Sequence, residues 1–364
     1  MKTLFAFLFA TLFTMGGWPN RVTAAEKASV PNDGLVQWIS FPDPRLELRG
    51  LPWFAVNAPD LWRLPQTARA QIPNGAWARA VAPDGGRIRF SADTAELRLR
   101  VEVKAGQRKP AFFDAYVGEE FAGSAKAASG APAELVLFRG RKGGEKPITI
   151  YLPNNTEARV LAVGVDPKAA LRPAPAFAAK LPLVCYGSSV LQGTGADHPG
   201  KTYPAIVARR LNLDFVNLGF GGAGKAEPAV VDLVSEPPAS CYLFDLGKSY
   251  GNQSEEPFVR MLATIRSAHP TTPIIVVTPI YSTKEPGEKE YREKSVSLRA
   301  MMRKAGLDRR AAGDRFIAVA EGLELFGPDD QALFRDPQHP NDEGNERLAA
   351  RLAPLVQRLI TGRD

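Results

Sequence analysis

A serine pair follows a short apolar run near the middle of this chain of 364 residues. Residues 181–186 form the run, and Ser188 and Ser189 follow it after a single glycine. A hydroxyl there would be presented at the carboxyl end of a strand, where open α/β sheets bind their ligands. Taken alone, Gly-Ser-Ser is also an ordinary turn sequence, so the pair indicates chemistry only if it has partners elsewhere.

An aspartate and a histidine near the other end of the chain are candidate partners. Asp336 and His339 stand three positions apart, just before the last predicted helix. A serine, an imidazole and a carboxylate are the components of a hydrolytic triad. The chain has only three histidines. The other two, His198 in a polar loop and His269 before a proline, are interpreted as structural or surface groups.

The elements that would position these groups alternate between strand and helix from residue 181 onward. Apolar runs of the kind buried on both faces lie at 181–186, 214–219, 241–246, 274–278 and 316–320. Helix candidates lie at 203–211, 227–235, 256–269, 288–305 and 341–360. This alternation predicts a parallel sheet with helices on both faces. Its strand-end loops open on one edge, where the serine pair and the Asp-x-x-His segment can meet.

The preceding part of the chain has a different pattern. Residues 95–103 alternate strictly between apolar and polar side chains, which is the period of a half-buried strand. Similar short runs lie at 87–90, 112–117, 134–138, 148–152 and 159–165. Such a series of strands predicts an all-β sandwich or jelly roll. The expected division is a β-sandwich domain over 26–165, a linker rich in proline and alanine over 166–180, and an α/β domain over 181–364.

Residues 1–25 have the features of a secretory signal peptide. Lys2 supplies a basic start, residues 4–15 are apolar, and small residues precede a cleavage point after Ala25. The apolar stretch is shorter than the ~20 residues that span a bilayer, although a retained amino-terminal anchor is the alternative. The sequence therefore predicts a secreted or periplasmic protein with no stable membrane insertion after the signal is removed.

The charge distribution argues against one class of partner. Removal of Lys2 and Arg21 with the signal lowers the formal net charge of +7 by two. The remaining basic residues interleave with acidic ones, so no nucleic-acid binding is expected. A mildly basic exported protein could still favour acidic polysaccharides or membrane lipids.

The cysteine count and the spacing of possible metal ligands argue against a disulfide-stapled scaffold and against a metal site. The two cysteines cannot form a disulfide-stapled scaffold. Cys185 and Cys241 should lie at different heights in the sheet, which favours free buried thiols over a disulfide. No cluster of histidine, cysteine and acidic residues has the spacing of a metal site, so no metal is expected.

Large aromatic side chains crowd the first part of the β-rich region. They are Trp38, Phe41, Trp53, Phe54, Trp62 and Trp77. They could form a surface on which sugar rings stack. They could instead form a core and fill the space between the domains, because large aromatic side chains are usually buried. If the β-sandwich domain helps to complete the active cleft, Trp53 and Phe54 are the first candidates for substrate contact.

The order of these motifs resembles that of the SGNH (GDSL-type) hydrolases, especially exported members with a β-sandwich before the catalytic domain. The matching features are Gly-x-Ser at the serine pair, Asn-x-Gly-x-x-Gly over 217–222, a glycine loop after the third strand, and Asp-x-x-His. The resemblance implies a flavodoxin-like three-layer α/β/α fold. It also implies ester hydrolysis without a metal or a cofactor.

Carried over to this chain, the resemblance implies three catalytic roles. Ser189 would be the nucleophile, and Ser188 stands where the family often has aspartate. His339 would be the general base that takes the Ser189 proton. Asp336 would hold the imidazole in its working tautomer.

The resemblance also implies an oxyanion hole, in which one position departs from the family pattern. The amides of Ser189 and Gly222 match two of the usual donors. The third donor should be an asparagine, but Ser249 stands two positions after Gly247 and Asn252 lies three positions further on. Ser249 could donate through its hydroxyl, Asn252 could reach in, or the hole could work with two donors. Loss of one donor typically lowers turnover ~100- to 1000-fold.

The sequence therefore predicts a secreted serine esterase that removes short acyl groups, most plausibly acetyl, from a small-molecule or polysaccharide ester. Export and the aromatic-rich sandwich domain favour a carbohydrate substrate. A lipid esterase or lysophospholipase is the alternative among enzymes. A non-catalytic glycan-binding protein with a degenerate hydrolase domain is the alternative from another class.

Overall fold

The structure is a computed structural model that describes residues 36–141 and 143–362. The predicted signal peptide at 1–25 lies outside these ranges. The first part contains two antiparallel sheets. Its strands are β1 (Gln37–Ser40), β2 (Glu47–Arg49), β3 (Arg87–Ala92), β4 (Leu97–Val103), β5 (Ala111–Val117), β6 (Glu120–Ala127), β7 (Ala133–Phe138), β8 (Lys146–Tyr151), β9 (Ala158–Val165) and β10 (Leu171–Arg172). Two helices, α1 (Phe54–Asn57) and α2 (Asn74–Ala80), lie between β2 and β3.

The two antiparallel sheets pack face to face, which confirms the predicted β-sandwich. Their strand orders are β1-β9-β4-β7 and β10-β3-β8-β5-β6, with β2 also paired to β3. Strand β4 buries alternate side chains, as its sequence pattern predicts. Strand β6 was not predicted, because its small and polar residues leave it without an apolar face, and it lies at a sheet edge.

The second part is a parallel sheet, which confirms the predicted α/β/α architecture. Its strands are β11 (Leu183–Gly187), β12 (Phe215–Gly219), β13 (Cys241–Asp245), β14 (Ile274–Val277) and β15 (Ile317–Ala320). They pair in the order β12-β11-β13-β14-β15, and every pairing is parallel. This is the flavodoxin-like order, in which the strand order reverses at β11: the next strand lies on one side of it and the later strands lie on the other.

Helices cover both faces of this sheet. They are α3 (Ser189–Gln192), α4 (Tyr203–Arg210), α5 (Pro228–Ser235), α6 (Glu256–Ala268), α7 (Lys289–Ala311), α8 (Gly322–Leu325) and α9 (Asp342–Thr361). Along β11, Val184 and Tyr186 face the core formed with α5, α6 and α7, whereas Leu183 and Cys185 face the core formed with α4 and α9. No helix in the described ranges is long and apolar enough to cross a membrane.

The two cysteines lie inside this sheet. Both Cys185 and Cys241 are buried and free, which confirms the prediction of two unpaired thiols. Burial raises the pKa of each thiol, so both are held in the neutral form.

One segment between β2 and β3 packs on the α/β sheet and not inside the sandwich. Leu64, Ala76 and Ala80 belong to the same buried cluster as Val184 and Phe220. The sequence alone assigned this segment to the β-sandwich domain. In the opposite sense, β10 lies within the expected linker but pairs with β3 of the sandwich. The two domains are therefore joined by the packing of the segment between β2 and β3 on the α/β sheet as well as by the chain connection.

A buried arginine also ties the domains together. Arg87 of β3 lies 3.9 Å above the Phe215 ring and forms an ion pair with Asp214. Beside it, Gly85 has a φ of +79°, and a Cβ there would lie 2.7 Å from the Cβ of Asn217. Only glycine allows this approach, which brings the loop before β3 against β12 of the α/β sheet.

Candidate active site

Ser189 lies where β11 passes into α3. The Ser188 amide donates a hydrogen bond to the Asp245 carbonyl oxygen at 2.8 Å, which fixes the end of β11 against β13. A Cβ on Gly187 would lie 1.9 Å from that same oxygen, so the strand end requires glycine. Ser189 is the first residue of α3 and is only partly buried. The hydroxyl of Ser189 is thus held at the carboxyl edge of the sheet.

Asp336 and His339 occupy a small hairpin that faces this edge. Strands β16 (Phe334–Asp336) and β17 (His339–Pro340) pair, with Asp336 opposite His339. His339 Nδ1 lies 2.8 Å from Asp336 Oδ2, and His339 Nε2 lies 2.8 Å from Ser189 Oγ. Three groups from opposite ends of the domain therefore form one continuous hydrogen-bonded chain. This geometry allows the imidazole to remove the serine proton while the carboxylate orients it.

The surroundings of Asp336 keep it ionised. Partial burial alone would raise the pKa of Asp336, but three hydrogen bonds outweigh that effect and hold its pKa below the ordinary value. The amides of Gln338 and His339 donate to Oδ1 at 2.9 and 3.1 Å, and the His339 ring supplies the third. An ionised carboxylate at this position favours the protonated imidazole that forms during proton transfer.

Contacts on both sides hold the hairpin in place. On one side, Ser282 Oγ and the Thr283 amide donate to the Pro337 carbonyl oxygen at 2.7 and 3.1 Å. On the other side, Gly195 has a φ of +101°, and a Cβ there would lie 2.9 Å from the Cβ of His339. The loop after α3 can therefore approach the imidazole only because residue 195 is glycine.

Of the predicted oxyanion donors, one is the amide of Ser189 itself, and another, the Gly222 amide, belongs to a loop that packs against Ser189. A Cβ on Gly221 would lie 3.3 Å from the Ser189 Cβ, so the glycine loop packs directly against Ser189. In the described part of the chain, neither the Ser189 amide nor the Gly222 amide donates to a protein acceptor. Ser249 lines the same space, whereas Asn252 is exposed and does not line it. Of the two candidates for the third donor, the structure brings only Ser249 to the site.

Two connected spaces open at Ser189. The first, here called the small pocket, has a volume of about 40 Å³. It is lined by Ser188, Ser189, Val190, Asp245, Gly247, Lys248, Ser249, Ile280, Tyr281, Gln338 and His339. The second, here called the cleft, has a volume of about 760 Å³ and shares Ser189, Ser249, Gln338 and His339 with the small pocket. A reacting carbonyl at Ser189 would thus have a narrow space on one side and a wide one on the other.

The β-sandwich domain supplies one wall of the cleft, but not through the residues expected from sequence. The wall comes from residues 107–110 and Phe112 after β4, from residues 154–156 after β8, and from Arg79 of α2. Trp53 instead donates its indole N–H to Glu236 at 2.9 Å, and Phe54 packs against Phe41. Neither Trp53 nor Phe54 is among the residues that line the cleft.

A glutamine that the sequence analysis did not single out positions the glycine loop. Gln192 Oε1 accepts a hydrogen bond from the Gly221 amide at 2.7 Å. Its Nε2 donates to Asp84 Oδ1 at 3.1 Å, and Asp84 belongs to the segment before β3. Gln192 is fully buried, so these two contacts determine its orientation. The Gly221 amide, next to Gly222, is therefore fixed by Gln192, whose own orientation depends on a residue of the N-terminal part of the chain.

A fully buried arginine completes this support. Arg63 donates to the carbonyl oxygens of Asn217 and Gly219 at 2.9 and 2.7 Å, and it forms a 3.4 Å ion pair with Asp84. Burial raises the pKa of Asp84 and lowers the pKa of Arg63, and their mutual attraction opposes both effects. No sequence signal indicates this pair, because an isolated arginine and aspartate in loops are usually surface charges.

The remaining histidines have different environments. His198 lines the cleft, and its Nδ1 lies 3.0 Å from Oδ1 of Asp114, a fully buried residue of β5. This hydrogen bond raises the pKa of His198. His269 lies far from the cleft, with Nε2 2.7 Å from the Ser235 carbonyl oxygen. Within the described ranges, no group of three or more His, Cys, Asp or Glu side chains could hold a metal ion.

Similar structures share both domains of this chain. A GDSL-like lipase from Bacteroides ovatus has a TM-score of 0.79 at 24% identity, covering 90% of this chain and 98% of its own. A salicylyl-acyltransferase from a tetracycline biosynthetic pathway has a TM-score of 0.77 at 26% identity, covering 89% and 98%. A family two carbohydrate esterase from Clostridium thermocellum, in complex with cellohexaose, has a TM-score of 0.61 at 15% identity, covering 77% and 96%. None of the curated proteins matches this sequence.

Two family models match adjacent parts of the chain. Residues 36–171 match the N-terminal domain of SGNH-hydrolase-type esterases. Residues 180–357 match the GDSL-like lipase/acylhydrolase family, and this range contains the serine, the glycine loop and the Asp-x-x-His hairpin. The chain therefore belongs to the GDSL-like lipase/acylhydrolase family, the SGNH hydrolases, and is an esterase-type hydrolase with an N-terminal β-sandwich domain.

Proposed function

We propose that this protein is a serine esterase that removes a short acyl group, acetyl, from a carbohydrate, with Ser189, His339 and Asp336 as its triad. The observation that carries the proposal is the 2.8 Å contact between His339 Nε2 and Ser189 Oγ. A serine hydroxyl is a weak nucleophile until an adjacent base removes its proton, and this contact supplies that base.

The proposed reaction has two halves. Ser189 Oγ attacks the acyl carbonyl as His339 takes its proton, and the amides of Ser189 and Gly222 with the Ser249 hydroxyl stabilise the resulting oxyanion. His339 then gives its proton to the alcohol as the ester bond breaks, which leaves an acyl-enzyme. Water attacks that ester by the same route, so acetate and free Ser189 are the final products.

The two spaces at Ser189 support an acetyl ester of a bulky alcohol. The small pocket of about 40 Å³ is a few times the ~10–15 Å³ of accessible volume that one water molecule needs, so it has room for only a small group. A short acyl group suits that space, whereas a lipid esterase needs room for a long acyl chain. The cleft of about 760 Å³ falls within the ~300–1,000 Å³ of typical ligand pockets. The similar carbohydrate esterase in complex with cellohexaose supports a saccharide in the cleft.

The proposal extends to location and partners. The signal-like sequence of residues 1–25 supports a secreted or periplasmic protein whose partner is an ester substrate, without nucleic acid and without stable membrane insertion. Detection of the mature form, cleaved near Ala25, in the periplasmic or culture fraction would test this part. An uncleaved protein in the membrane fraction would contradict it.

The direct test compares wild-type protein with Ser189→Ala on p-nitrophenyl acetate. The variant should lose at least ~10⁴-fold in kcat, because the covalent route no longer exists. The matched control is Ser188→Ala, which should stay within about tenfold of wild type because the triad is intact. Butyrate and octanoate esters should react progressively more slowly as the acyl chain outgrows the small pocket. Equal rates for wild type and Ser189→Ala would refute the proposal, and a folded wild type without turnover would favour the glycan-binding alternative.

A second candidate function is acyl transfer to an alcohol acceptor. The similarity to a salicylyl-acyltransferase at 26% identity favours it, and transfer would pass through the same acyl-enzyme. Adding a methyl glycoside to the p-nitrophenyl acetate assay distinguishes the two functions. A hydrolase should release acetate, whereas a transferase should form the acetylated glycoside at the expense of acetate.

A further inference from the structure

Three cationic side chains line the cleft. Arg79 lies near the end of α2, and Arg108 and Lys109 lie on the loop between β4 and β5. Among the described residues, Arg108 and Lys109 have no ion pair and no hydrogen-bonded partner. Arg79 donates from Nε to the Gly221 carbonyl oxygen at 3.2 Å and has no acidic partner there. All three therefore have uncompensated charges on the same space that contains Ser189.

Negative charge in the cleft is nearly absent. Within the part of the chain that the structure describes, Asp197 is the one carboxylate among the lining residues, and it is already paired with Arg335. A concave cleft with low-dielectric walls focuses the field of like charges that line it. The cleft should therefore attract an anionic molecule to Ser189 more strongly than a neutral one.

The same wall also offers apolar and polar surface of the kind that a sugar ring contacts. Phe112 is partly exposed to the cleft, and the His198 ring packs edge-on against it at a centroid distance of 5.5 Å. The buried carboxylate of Asp114 fixes the His198 ring through Nδ1 and also accepts from the Gly200 amide at 2.9 Å. An aromatic face beside unpaired cations is the composition of a site for a ring that carries an anionic group.

We propose that the alcohol part of the substrate is an acidic saccharide whose carboxylate is bound by Arg79, Arg108 and Lys109. The inference rests on the esterase function proposed above and adds the substrate class. A guanidinium presents a planar fork of donors that matches a carboxylate, which suits Arg108 to this role. The acyl group lies in the small pocket while the charged sugar occupies the cleft.

The test uses two substrates that differ only in this charge. One is a partially acetylated oligogalacturonate, and the other is the same oligomer with its carboxylates converted to methyl esters. Acetate release gives kcat/KM for each. Wild-type protein should prefer the acidic oligomer by about tenfold or more, as one to two charge-assisted hydrogen bonds would give. Raising the ionic strength from ~0.01 M to ~1 M should reduce the preference, because exposed charges are screened.

Substitutions then assign the preference to the cleft. In Arg108→Gln/Lys109→Gln, the ratio of the two kcat/KM values should fall towards one, through loss of rate on the acidic oligomer. The matched control is Lys168→Gln/Lys180→Gln, which removes the same charge from exposed residues outside the cleft. That control should keep the wild-type ratio.

The outcomes separate this inference from the proposed function. If the wild type hydrolyses p-nitrophenyl acetate but has a ratio near one, the acidic substrate class is wrong and the esterase function stands. If the wild type fails on p-nitrophenyl acetate and on both oligomers, the esterase function itself is wrong. Faster turnover of an anionic lysophospholipid than of the acidic oligomer would assign the cationic wall to lipid and overturn the saccharide inference.

Discussion

The two sides of the cleft are built in different ways. The sheet edge carries Ser189 and the hairpin of His339, and each group follows directly from the strand or hairpin that holds it. The opposite wall consists mainly of loops, and the contacts that tie this N-terminal part to the α/β sheet span much of the chain, such as the hydrogen bond from Arg63 to Asn217, 154 positions later. The comparison indicates that the edge holds the proposed triad, whereas the wall borders the space proposed for the leaving alcohol.

If the wall and the α/β sheet form one unit, the largest effect should come from Arg63, which does not line the cleft but joins the segment before β3 to β12. Arg63→Met leaves Asp84 buried without its partner and removes donors from the carbonyl oxygens of Asn217 and Gly219. The expected cost is about 3–5 kcal/mol in the free energy of unfolding, measured by urea denaturation. The matched control is Arg45→Met, which breaks an exposed pair and should cost under about 1 kcal/mol. Equal denaturation midpoints for Arg63→Met and wild type would show that the wall and the α/β sheet do not form one unit.

At the sheet edge, the buried carboxyl group of Asp245 lowers the free energy of unfolding once it ionises. Burial raises the pKa of Asp245 to about 6, from 3.8 in the unfolded chain. Between those pH values the folded state keeps a proton that the unfolded state releases, so stability falls as pH rises through that window. Asp245→Asn removes this dependence, and its amide oxygen can still accept from the Tyr203 hydroxyl.

The Asp245→Asn variant should therefore be more stable than wild type above about pH 7, by about 3 kcal/mol. Below about pH 4 the two proteins should have similar stability. Thermal unfolding at both pH values measures the difference, and exposed Asp232→Asn is the control that should change neither. A constant difference between wild type and Asp245→Asn at both pH values would contradict the assigned cause.

A smaller effect should show whether Gln192 of α3 positions the glycine loop or only stabilises the fold. Gln192→Ala removes the acceptor for the Gly221 amide, so the oxyanion loop loses its support. We expect kcat on p-nitrophenyl acetate to fall about 10- to 100-fold with little change in KM, because loss of a whole oxyanion donor costs ~100- to 1000-fold. Exposed Gln357→Ala is the control, with wild-type kcat. A rise in KM at constant kcat would instead place Gln192 in substrate binding.

The sheet edge could be predicted from sequence because its signals are local. An apolar run ending in Gly-Ser-Ser specifies a strand followed by a tight turn, and Asp-x-x-His specifies one short turn, which the structure shows to be a hairpin. The parallel sheet then brings both to one edge without further information. The strand and helix positions from residue 181 onward follow the predicted ones for the same reason, since each element has its own hydrophobic period.

The wall could not be predicted because its signals are not local. Arg63 and Asp84 lie in loops with no periodic pattern, and nothing in the sequence distinguishes a buried arginine from an exposed one. Trp53 and Phe54 were chosen for their aromatic rings, yet the contacts of Trp53 with Glu236 and of Phe54 with Phe41 keep both away from the cleft. The sequence does not single out cleft residues such as Arg108, because a charged residue in a loop gives no sign of which other loops it will face.

The central claim is that Ser189, activated by His339, is the nucleophile. An alkyl fluorophosphonate forms a covalent bond only with an activated serine, so peptide mass spectrometry after labelling tests the claim directly. The structure predicts a single label on Ser189 in the wild type, and a labelling rate reduced by orders of magnitude in His339→Ala. A label on Ser188, or an equal rate in His339→Ala, would contradict the proposed triad.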